Sequence, residues 1–329
     1  MNAMSAMIAR IIAIARWAPV RIVVALCGAA AVALILRGLG WPAVQARLSE
    51  AAGYLPIVLA LDGIVLACSM LALRSLYGAA GRTVPVSQLV RAGLIGFAVN
   101  GLLPAGRAVA EVTRASLLSR WVGSGTAAAA AARMQAVVLV AHGTMSVAAT
   151  IAAVLAVGWT WLPLAIGLQA ILTLVIGVFL LVMASRVHIG AWLGRRVSRA
   201  RVFGSELDAA LANSPAIPTG AIGWELAGRC VEVAQKAVLV VCVGGAFGVM
   251  PALCVEGIHL VGAAVGDLVP AQLGVQEGNF TLAAYALGLP AGGAVAIALL
   301  AHVSQLAWVL VGSLVPLIWR AEPPAPATP

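Results

Sequence analysis

The sequence predicts an all-α polytopic membrane protein made of two inverted repeats, each with three transmembrane helices and one re-entrant helical hairpin. Three observations lead to this prediction: the composition, the lengths of the hydrophobic stretches, and a duplicated motif. Of 329 residues, 63% are hydrophobic and 9% are charged, and the mean hydropathy is +1.06. Soluble domains carry about 25% charged residues, so most of this surface must face lipid.

Six hydrophobic stretches are long enough to cross a bilayer, which takes about 20 apolar residues. They are residues 20–39, 54–77, 134–157, 162–184, 219–247 and 292–319. Two shorter apolar stretches, 86–103 and 252–269, each end at a polar break with a proline. We interpret 86–120 and 252–287 as re-entrant hairpins, although two full crossings in each place would agree equally well with the loop charges.

Arginines in the loops predict the orientation. They precede the first span and follow the second, fourth and last spans, whereas the opposite side carries few. Because positive residues remain on the cytoplasmic side, we expect a multi-pass protein of the cytoplasmic (inner) membrane with both termini in the cytoplasm. The net charge of +9 has the same explanation, so we expect no nucleic-acid partner.

A shift of 166 residues reveals the repeat. It places LLPAGRAVAE (102–111) over LVPAQLGVQE (268–277) and aligns Pro104 with Pro270, Glu111 with Glu277 and Gly96 with Gly262. Three crossings separate the two copies, and an odd number inverts the second copy, as in many transporters.

The repeat divides the chain into segments. The predicted segments are an interfacial N-terminal segment (1–19), repeat 1 (20–157), repeat 2 (161–319) with a basic cytoplasmic linker (185–218), and a disordered tail (320–329).

Several charged residues fall inside predicted membrane segments. Arg107, Glu111 and Arg114 share one helical face, as do Glu225, Arg229, Glu232 and Lys236, because their spacings are three and four. A charge at the bilayer centre costs about 2.5–3.5 kcal/mol, so these side chains must face protein or water. They either form an ion ladder that fixes helix packing or line a cavity open to the cytoplasm. Asp62 is expected in the same cavity, either paired with Arg229 or Arg114 or buried as a protonated acid.

The two predicted hairpins differ in charge. The first is basic, whereas the second carries Glu256, Asp267 and Glu277 without Arg or Lys. A cavity between them would hold an anionic headgroup near arginines, which suit phosphate, and a cationic or hydroxylated group near carboxylates. The positive-inside rule would explain the difference in charge between the two hairpins equally well. Cysteine and histidine spacing suggests no metal, and His142, His259 and His302 are interpreted as packed polar residues.

The two motifs resemble those of the flippase-like transmembrane region of lysylphosphatidylglycerol synthases and its stand-alone relatives. Members show motifs similar to L-P-x-R-x-G-E-x-x-R and P-G-G-L-G-x-x-E-G. Here LLPAGRAVAEVTR has one extra residue after Arg107 and has Ala110 where Gly is usual. In VPAQLGVQEG, Ala271 and Gln272 replace the glycine pair, and Gln276 stands where Arg is common.

The resemblance implies that the protein moves a lipid or lipid-linked molecule between leaflets. Arg107 and Arg114 would then engage a phosphate, and Glu277 with the Gly274 and Gly278 backbone would engage the headgroup from outside. The substrate-binding residues expected in full are Arg107, Glu111, Arg114, Asp267, Gly274, Gln276, Glu277 and Gly278. Some relatives are associated with hopanoid and isoprenoid lipids. The substrate could therefore have an isoprenoid-type headgroup as well as an anionic one.

Two other functions remain open at this stage. An integral-membrane transferase would use Glu111 and Glu277 as paired carboxylates, but the chain has no HExxH and no GxSxG motif. A non-transporting scaffold of a lipid-synthesis complex would use the charge stripe structurally. We expect no enzyme activity, and lipid aminoacylation by this chain in particular is not expected, because only nine residues follow Arg320. We also expect no cofactor, and we allow a lipid-synthesis enzyme as partner; the oligomeric state is open.

Overall fold

The computed structural model describes residues 41–103, 105–186, 190–192, 201–266 and 272–319, with the isolated positions 33, 37 and 269. Within these residues the chain is helical and contains no strand. The α-helices are α1 (Trp41–Ala51), α2 (Leu55–Leu76), α3 (Val86–Leu102), α4 (Gly106–Val122), α5 (Ser124–Val157), α6 (Trp161–Arg186), α7 (Arg201–Ala212), α8 (Thr219–Cys242), α9 (Val249–Gly266), α10 (Val275–Ala283) and α11 (Ala291–Ile318). Short 3-10 turns cover Ala52–Tyr54, Gly78–Arg82 and Ala284–Leu287.

Five stretches are long and apolar enough to cross a membrane. They are Ser49–Leu76, Ser124–Val157, Trp161–Ala184, Val249–Gly266 and Ala291–Ile318. The prediction of an all-α multi-pass membrane protein is therefore confirmed. The segments 1–19 and 320–329, and most of the first span at 20–39, lie outside the described residues.

Three helices differ from the predicted spans. Helix α9, predicted over 252–269 as half of a hairpin, begins at Val249 and is long and apolar enough to cross a membrane. Helix α5 begins at Ser124, ten residues before the predicted start at 134, because the alanine run 127–132 has the highest helix propensity. Gly123, at φ +84°, separates α5 from α4 with a backbone conformation that residues with a Cβ rarely adopt. Helix α8 has 24 residues, but its four charged residues lower its hydropathy below that of the five spans.

Helices α2 and α8 pack side by side and run in opposite directions. Near one end of the pair Gly220 lies against Ser75, and near the other Gln235 Nε2 donates a hydrogen bond of 3.2 Å to the Val58 carbonyl. Helices α3 and α4 form an antiparallel pair, and α9 and α10 form another. Helices α3, α5 and α11 pack against α2, and α5, α9 and α11 pack against α8.

The remaining helices lie at the periphery. Helix α6 packs along α5 and exposes large apolar side chains such as Leu168, Ile171 and Val175, as a lipid-facing helix does. Helix α7 packs on α5, where Glu206 accepts a hydrogen bond of 2.9 Å from Ser124. Arg133 of α5 donates to the Pro215 carbonyl, so α7 and the residues that follow it are held against α5.

Candidate functional site: a charged cavity

A cavity of about 240 Å³ lies at the centre of the helix bundle. Eight helices contribute to its lining: α2, α3, α4, α5, α8, α9, α10 and α11. The charged and histidine side chains in the lining are Asp62, Arg107, Glu111, Arg114, His142, Glu225, Arg229, Glu232, Lys236, His259 and His302. Uncharged polar side chains, Ser69, Asn100, Gln235, Gln272, Gln276 and Gln305, lie between them.

Helix α8 contributes the largest number of charges. Glu225, Arg229, Glu232 and Lys236 all line the cavity, as their spacing on one helical face predicts. Arg229 forms an ion pair with Glu232 one turn further along. Glu225 and Lys236 are each only 4% exposed, so these charges are withdrawn from the protein surface. Charges in such a place need partners or water within the cavity.

Asp62 connects three helices at the cavity. Its carboxylate accepts a hydrogen bond of 2.6 Å from Gln235 Nε2 on α8 and another from the Ser304 hydroxyl on α11. Gln235 in turn accepts a 3.2 Å bond from Lys236 Nζ. The direct partners of Asp62 are therefore uncharged side chains, in place of the predicted Arg229 or Arg114, and Lys236 reaches Asp62 through Gln235.

The first predicted hairpin, α3 and α4, places all three of its predicted residues at the cavity. Arg107, Glu111 and Arg114 line it, and Arg114 donates to Glu111. Gly96 of α3 makes room for Arg114, because a Cβ on Gly96 would lie 2.4 Å from Arg114 Nε. The small residue on α3 therefore lets α4 approach closely with a buried arginine between the two helices.

In the second predicted hairpin, α9 and α10, Gln276 lines the cavity. Its side-chain amide donates to Gln272 Oε1 at 2.7 Å and to the His259 carbonyl at 3.3 Å. Gly262 of α9 makes room for it, since a Cβ there would lie 2.6 Å from Gln276 Oε1. Asp267, the remaining predicted acidic residue of this turn, lies outside the described residues.

Glu277 is fully buried and lies behind the cavity lining, which does not include it. One carboxylate oxygen accepts a 2.9 Å hydrogen bond from the Gly274 N–H and thereby caps α10. The other is 2.8 Å from His302 Nδ1. Gly274, at φ +81°, and Gly278 are also absent from the lining, and the Gly278 N–H donates to the Gly274 carbonyl at 3.1 Å.

Three histidines and several amides at the cavity were not predicted as site residues. His142, His259 and His302 come from α5, α9 and α11 and line the cavity, where the sequence suggested packed polar residues. Gln235 follows Glu232 by three positions, so the charge stripe itself contained a signal for it. The histidines and Gln305 are isolated in apolar stretches and carry no such signal.

Glu256 of α9 lies directly behind the lining. It is fully buried, and its Oε1 is 3.6 Å from the Arg229 guanidinium nitrogen that also contacts Glu232. Among the described residues, no group of three or more His, Cys, Asp and Glu side chains is placed to hold a metal ion. The chemistry of the site is therefore that of paired charges, amides and imidazoles around a small buried space.

Fold and site together define a multi-pass helical membrane protein with a charge-lined cavity among its helices. The family model described as the lysylphosphatidylglycerol synthase transmembrane region matches residues 17–312. The chain belongs to this family, as the two motifs indicated. Comparison with curated proteins and with solved structures returns no match.

Proposed function

We propose that the protein moves a lipid or lipid-linked molecule across the cytoplasmic membrane through the charged cavity, between two re-entrant hairpins of two inverted repeats. The observation that carries this proposal is the cavity itself: it is lined by charged side chains from both halves of the chain, inside a bundle whose peripheral helix α6 is apolar. A polar headgroup can be surrounded in such a cavity while acyl chains remain in the bilayer.

The helix order supports the inverted repeats. When 166 is added to each residue number, α2 falls on α8 and α3 falls on α9. In the same way α4 falls on α10 and the 3-10 turn after it, and α5 falls on α11. The shifted α3, for example, covers 252–268, against 249–266 for α9. Helices α2 and α8 are then equivalent, and they pack in opposite directions, as Gly220 against Ser75 and Gln235 against Val58 demonstrate. Inverted repeats require this antiparallel relation.

The packing of the hairpins follows the same relation. Helix α3 packs on α11, and its equivalent α9 packs on α5, the equivalent of α11. The first pair is antiparallel, because Gly101 faces Val309 and Gly312 faces the Leu94 carbonyl. In the other pair, Gly257 lies against Ala149.

The depth at which α3 ends supports re-entry of the first hairpin. Helix α11 has 28 residues, a length of about 42 Å at 1.5 Å per residue. Gly101 at the end of α3 lies against Val309, which is nine residues, or about 14 Å, from the end of α11. The end of α3 therefore lies well inside the length of a membrane helix. Irregular backbone at membrane depth is tolerated where it lines a cavity.

The charges of the lining suggest the substrate class. Four carboxyl groups, Asp62, Glu111, Glu225 and Glu232, stand with four cationic groups, Arg107, Arg114, Arg229 and Lys236. A lining of both signs suits a headgroup that has a phosphate together with a polar or cationic group, because arginine forks bind phosphate. The family description names lysylphosphatidylglycerol synthase, so a phospholipid headgroup is our proposal, with an isoprenoid-type headgroup as the alternative.

On the arginine distribution we propose that both termini lie in the cytoplasm, so that the turn after α3 would enter from the cytoplasm and the turn after α9 from outside. We infer a transporter rather than an enzyme, since the cavity has room for a headgroup but offers no activated nucleophile among the described residues. A scaffold would not need a cavity, although its charge stripe would look the same. Conversion of a labelled lipid by the purified protein would favour the transferase instead.

The test is transbilayer movement in vesicles. Purified protein is reconstituted with fluorescently tagged phosphatidylglycerol and phosphatidylethanolamine, and a membrane-impermeant quencher reports the fraction of label that reaches the outer leaflet. We expect more label to reach the outer leaflet in vesicles with wild-type protein than in protein-free vesicles. Ala301→Phe, which places a phenyl ring in the cavity lining, is expected to stop the movement.

The matched control is Ala156→Phe, the same change at an exposed position of α5, which should leave movement unchanged. Equal movement in the Ala301→Phe and wild-type proteins would remove the cavity from the pathway.

A further inference from the structure

Glu256 is a buried carboxyl group that the proposed lipid pathway does not use. It is 0% exposed, and neither of its oxygens has a hydrogen-bond partner among the described residues. Its Oε1 is 3.6 Å from Arg229, and the same guanidinium nitrogen forms the ion pair with Glu232. Two carboxyl groups from α8 and α9 therefore converge on one cationic nitrogen.

Because Glu232 and Glu256 contact the same guanidinium nitrogen of Arg229, their carboxyl groups lie near each other. Two ionised carboxylates have only acceptor oxygens, so no hydrogen bond can form between them. A proton on either one supplies the missing donor and lets the pair bond. The position of Glu232 in the lining, with Glu256 immediately behind it, gives such a proton a short route from cavity water.

Few other ionisable groups surround this pair. Arg229, Glu232 and Lys236 of α8 act on Glu256, and α6 has no ionisable side chain before Arg186. The remaining groups on elements packed against α9 are Glu225, Cys230 and Cys242 on α8, Arg133 and His142 on α5, Glu277 on α10, and Tyr285 in the following 3-10 turn, while α9 itself carries Cys254 and His259. Glu225 acts on Arg229 and Glu232, and Asp62 of α2 acts on Glu232. Glu277 is paired with His302, and His142 lies near Arg229.

The balance of buried charge also indicates a proton. The lining holds four carboxyl groups and four cationic groups, and Glu256 adds a fifth carboxyl. The set is balanced when one carboxyl group is protonated, and an uncompensated charge in a buried site is costly. Of the two carboxyl groups, Glu256 is the one that accepts no hydrogen bond from the described residues and has no exposure to solvent. Its anionic form is therefore the less stabilised of the two.

We propose that Glu232 and Glu256 form a proton-binding pair that couples lipid movement to proton movement through Arg229. The inference rests on the proposed function. An anionic headgroup that binds Arg229 competes with the two carboxylates for the same guanidinium. Glu232 takes a proton from cavity water and shares it with Glu256, which neutralises the displaced carboxylate. When the headgroup leaves, Arg229 pairs with Glu232 and Glu256 again, and the proton returns to water on the other side of the membrane.

The first experiment applies a pH difference across the vesicles described above, with fluorescently tagged phosphatidylglycerol as the probe. With one proton per lipid, the ratio of label between leaflets should shift by up to about tenfold per pH unit. Glu256→Gln keeps the shape of the side chain but cannot bind the proton, so the shift should disappear. Glu206→Gln, an exposed glutamate on α7 outside the cavity, should retain it. Glu256→Asp keeps a carboxyl group and should retain part of it.

The second experiment does not depend on transport. Infrared difference spectra of the full chain between acidic and alkaline pH should contain the carbonyl stretching band of a protonated carboxyl group, which Glu256→Gln removes and Glu206→Gln does not. Absence of that band in the wild type overturns the proton site. A band together with lipid movement that ignores the pH difference overturns the coupling and leaves the proposed function standing. Wild-type protein that moves no label in either condition overturns both.

Discussion

The two helix pairs α3–α4 and α9–α10 carry the same motif glutamate in different surroundings. Glu111 lines the cavity and accepts a hydrogen bond from Arg114. Glu277, its counterpart in the repeat, is fully buried behind the lining, where it caps α10 and contacts His302. One position of a repeated motif thus serves a charged cavity in one copy and helix capping in the other.

The glycines of the two pairs, in contrast, have the same role. Gly96 makes room for Arg114, and Gly262 makes room for Gln276, and both of these polar side chains line the cavity. The close approach of the two helices is therefore common to both copies, whereas the charge at the lining is positive in the first and neutral in the second. The described carboxylates of the second pair, Glu256 and Glu277, lie behind the lining, so the acidic side of the cavity comes from Asp62, Glu225 and Glu232 on α2 and α8, together with Glu111 on α4.

The largest stability difference is expected for the two motif glutamates. Glu277→Ala removes the cap of α10 and leaves His302 without its buried partner, for a loss of about 3 kcal/mol in the free energy of unfolding. Thermal or denaturant unfolding in detergent measures it, and Glu277→Gln should recover part of the loss. A cost below that of Glu111→Ala would contradict the assignment of Glu277 to structure.

Glu111→Ala should lose function more than stability. Water in the cavity can solvate Arg114 once its partner is gone, so the stability cost should be about 1 kcal/mol. Movement of tagged phosphatidylglycerol should fall about tenfold or more, which is the effect of disturbing one hydrogen bond to a charged group. Vesicle transport at equal protein content checks this. Unchanged movement would remove the α3–α4 pair from the mechanism.

Gly96→Ala and Gly262→Ala should reduce lipid movement less than Glu111→Ala does. The two effects should differ because the first hairpin places a charged side chain at the cavity and the second an uncharged one. Each added methyl group meets a buried polar side chain, and overpacking of this kind costs about 1–3 kcal/mol. Gly96→Ala displaces Arg114 and should reduce lipid movement further than Gly262→Ala, which displaces an uncharged amide. The control is Gly223→Ala on α8, where a Cβ would meet no atom within 4 Å. Equal transport in the Gly96 and Gly262 variants would refute the contrast.

Gly278→Ala should have the smallest effect. A Cβ at Gly278 has no neighbour within 4 Å, and alanine favours a helix over glycine by up to about 1 kcal/mol, so unfolding should become slightly less favourable. The variant therefore tests the predicted contact between the headgroup and the α10 backbone. A fall in lipid movement in a protein of undiminished stability would place the substrate at Gly278.

Much of the fold follows from local features of the chain. Hydrophobic stretches long enough to cross a bilayer predicted α2, α6 and α11 closely. The spacing of Glu225, Arg229, Glu232 and Lys236 predicted that one face of α8 would be polar, because helical periodicity alone places them together. The positions of His142 and Gln305 at the cavity could not be predicted in this way. A single polar residue in an apolar helix does not reveal which neighbouring helix it faces.

Length, hydropathy and helical periodicity are properties of short segments, so the sequence was sufficient for the membrane class, most of the helices and the charged face of α8. The tertiary structure alone decided which carboxylates reach the cavity. Glu111 and Glu277 occupy the same motif position, but His302 of α11 and the turn at Gly274 hold Glu277 behind the lining. Glu256 acquires its relation to Arg229 only because α8 and α9 pack together. Such contacts join segments far apart in the chain, and their electrostatic environment depends on helix packing that no local pattern specifies.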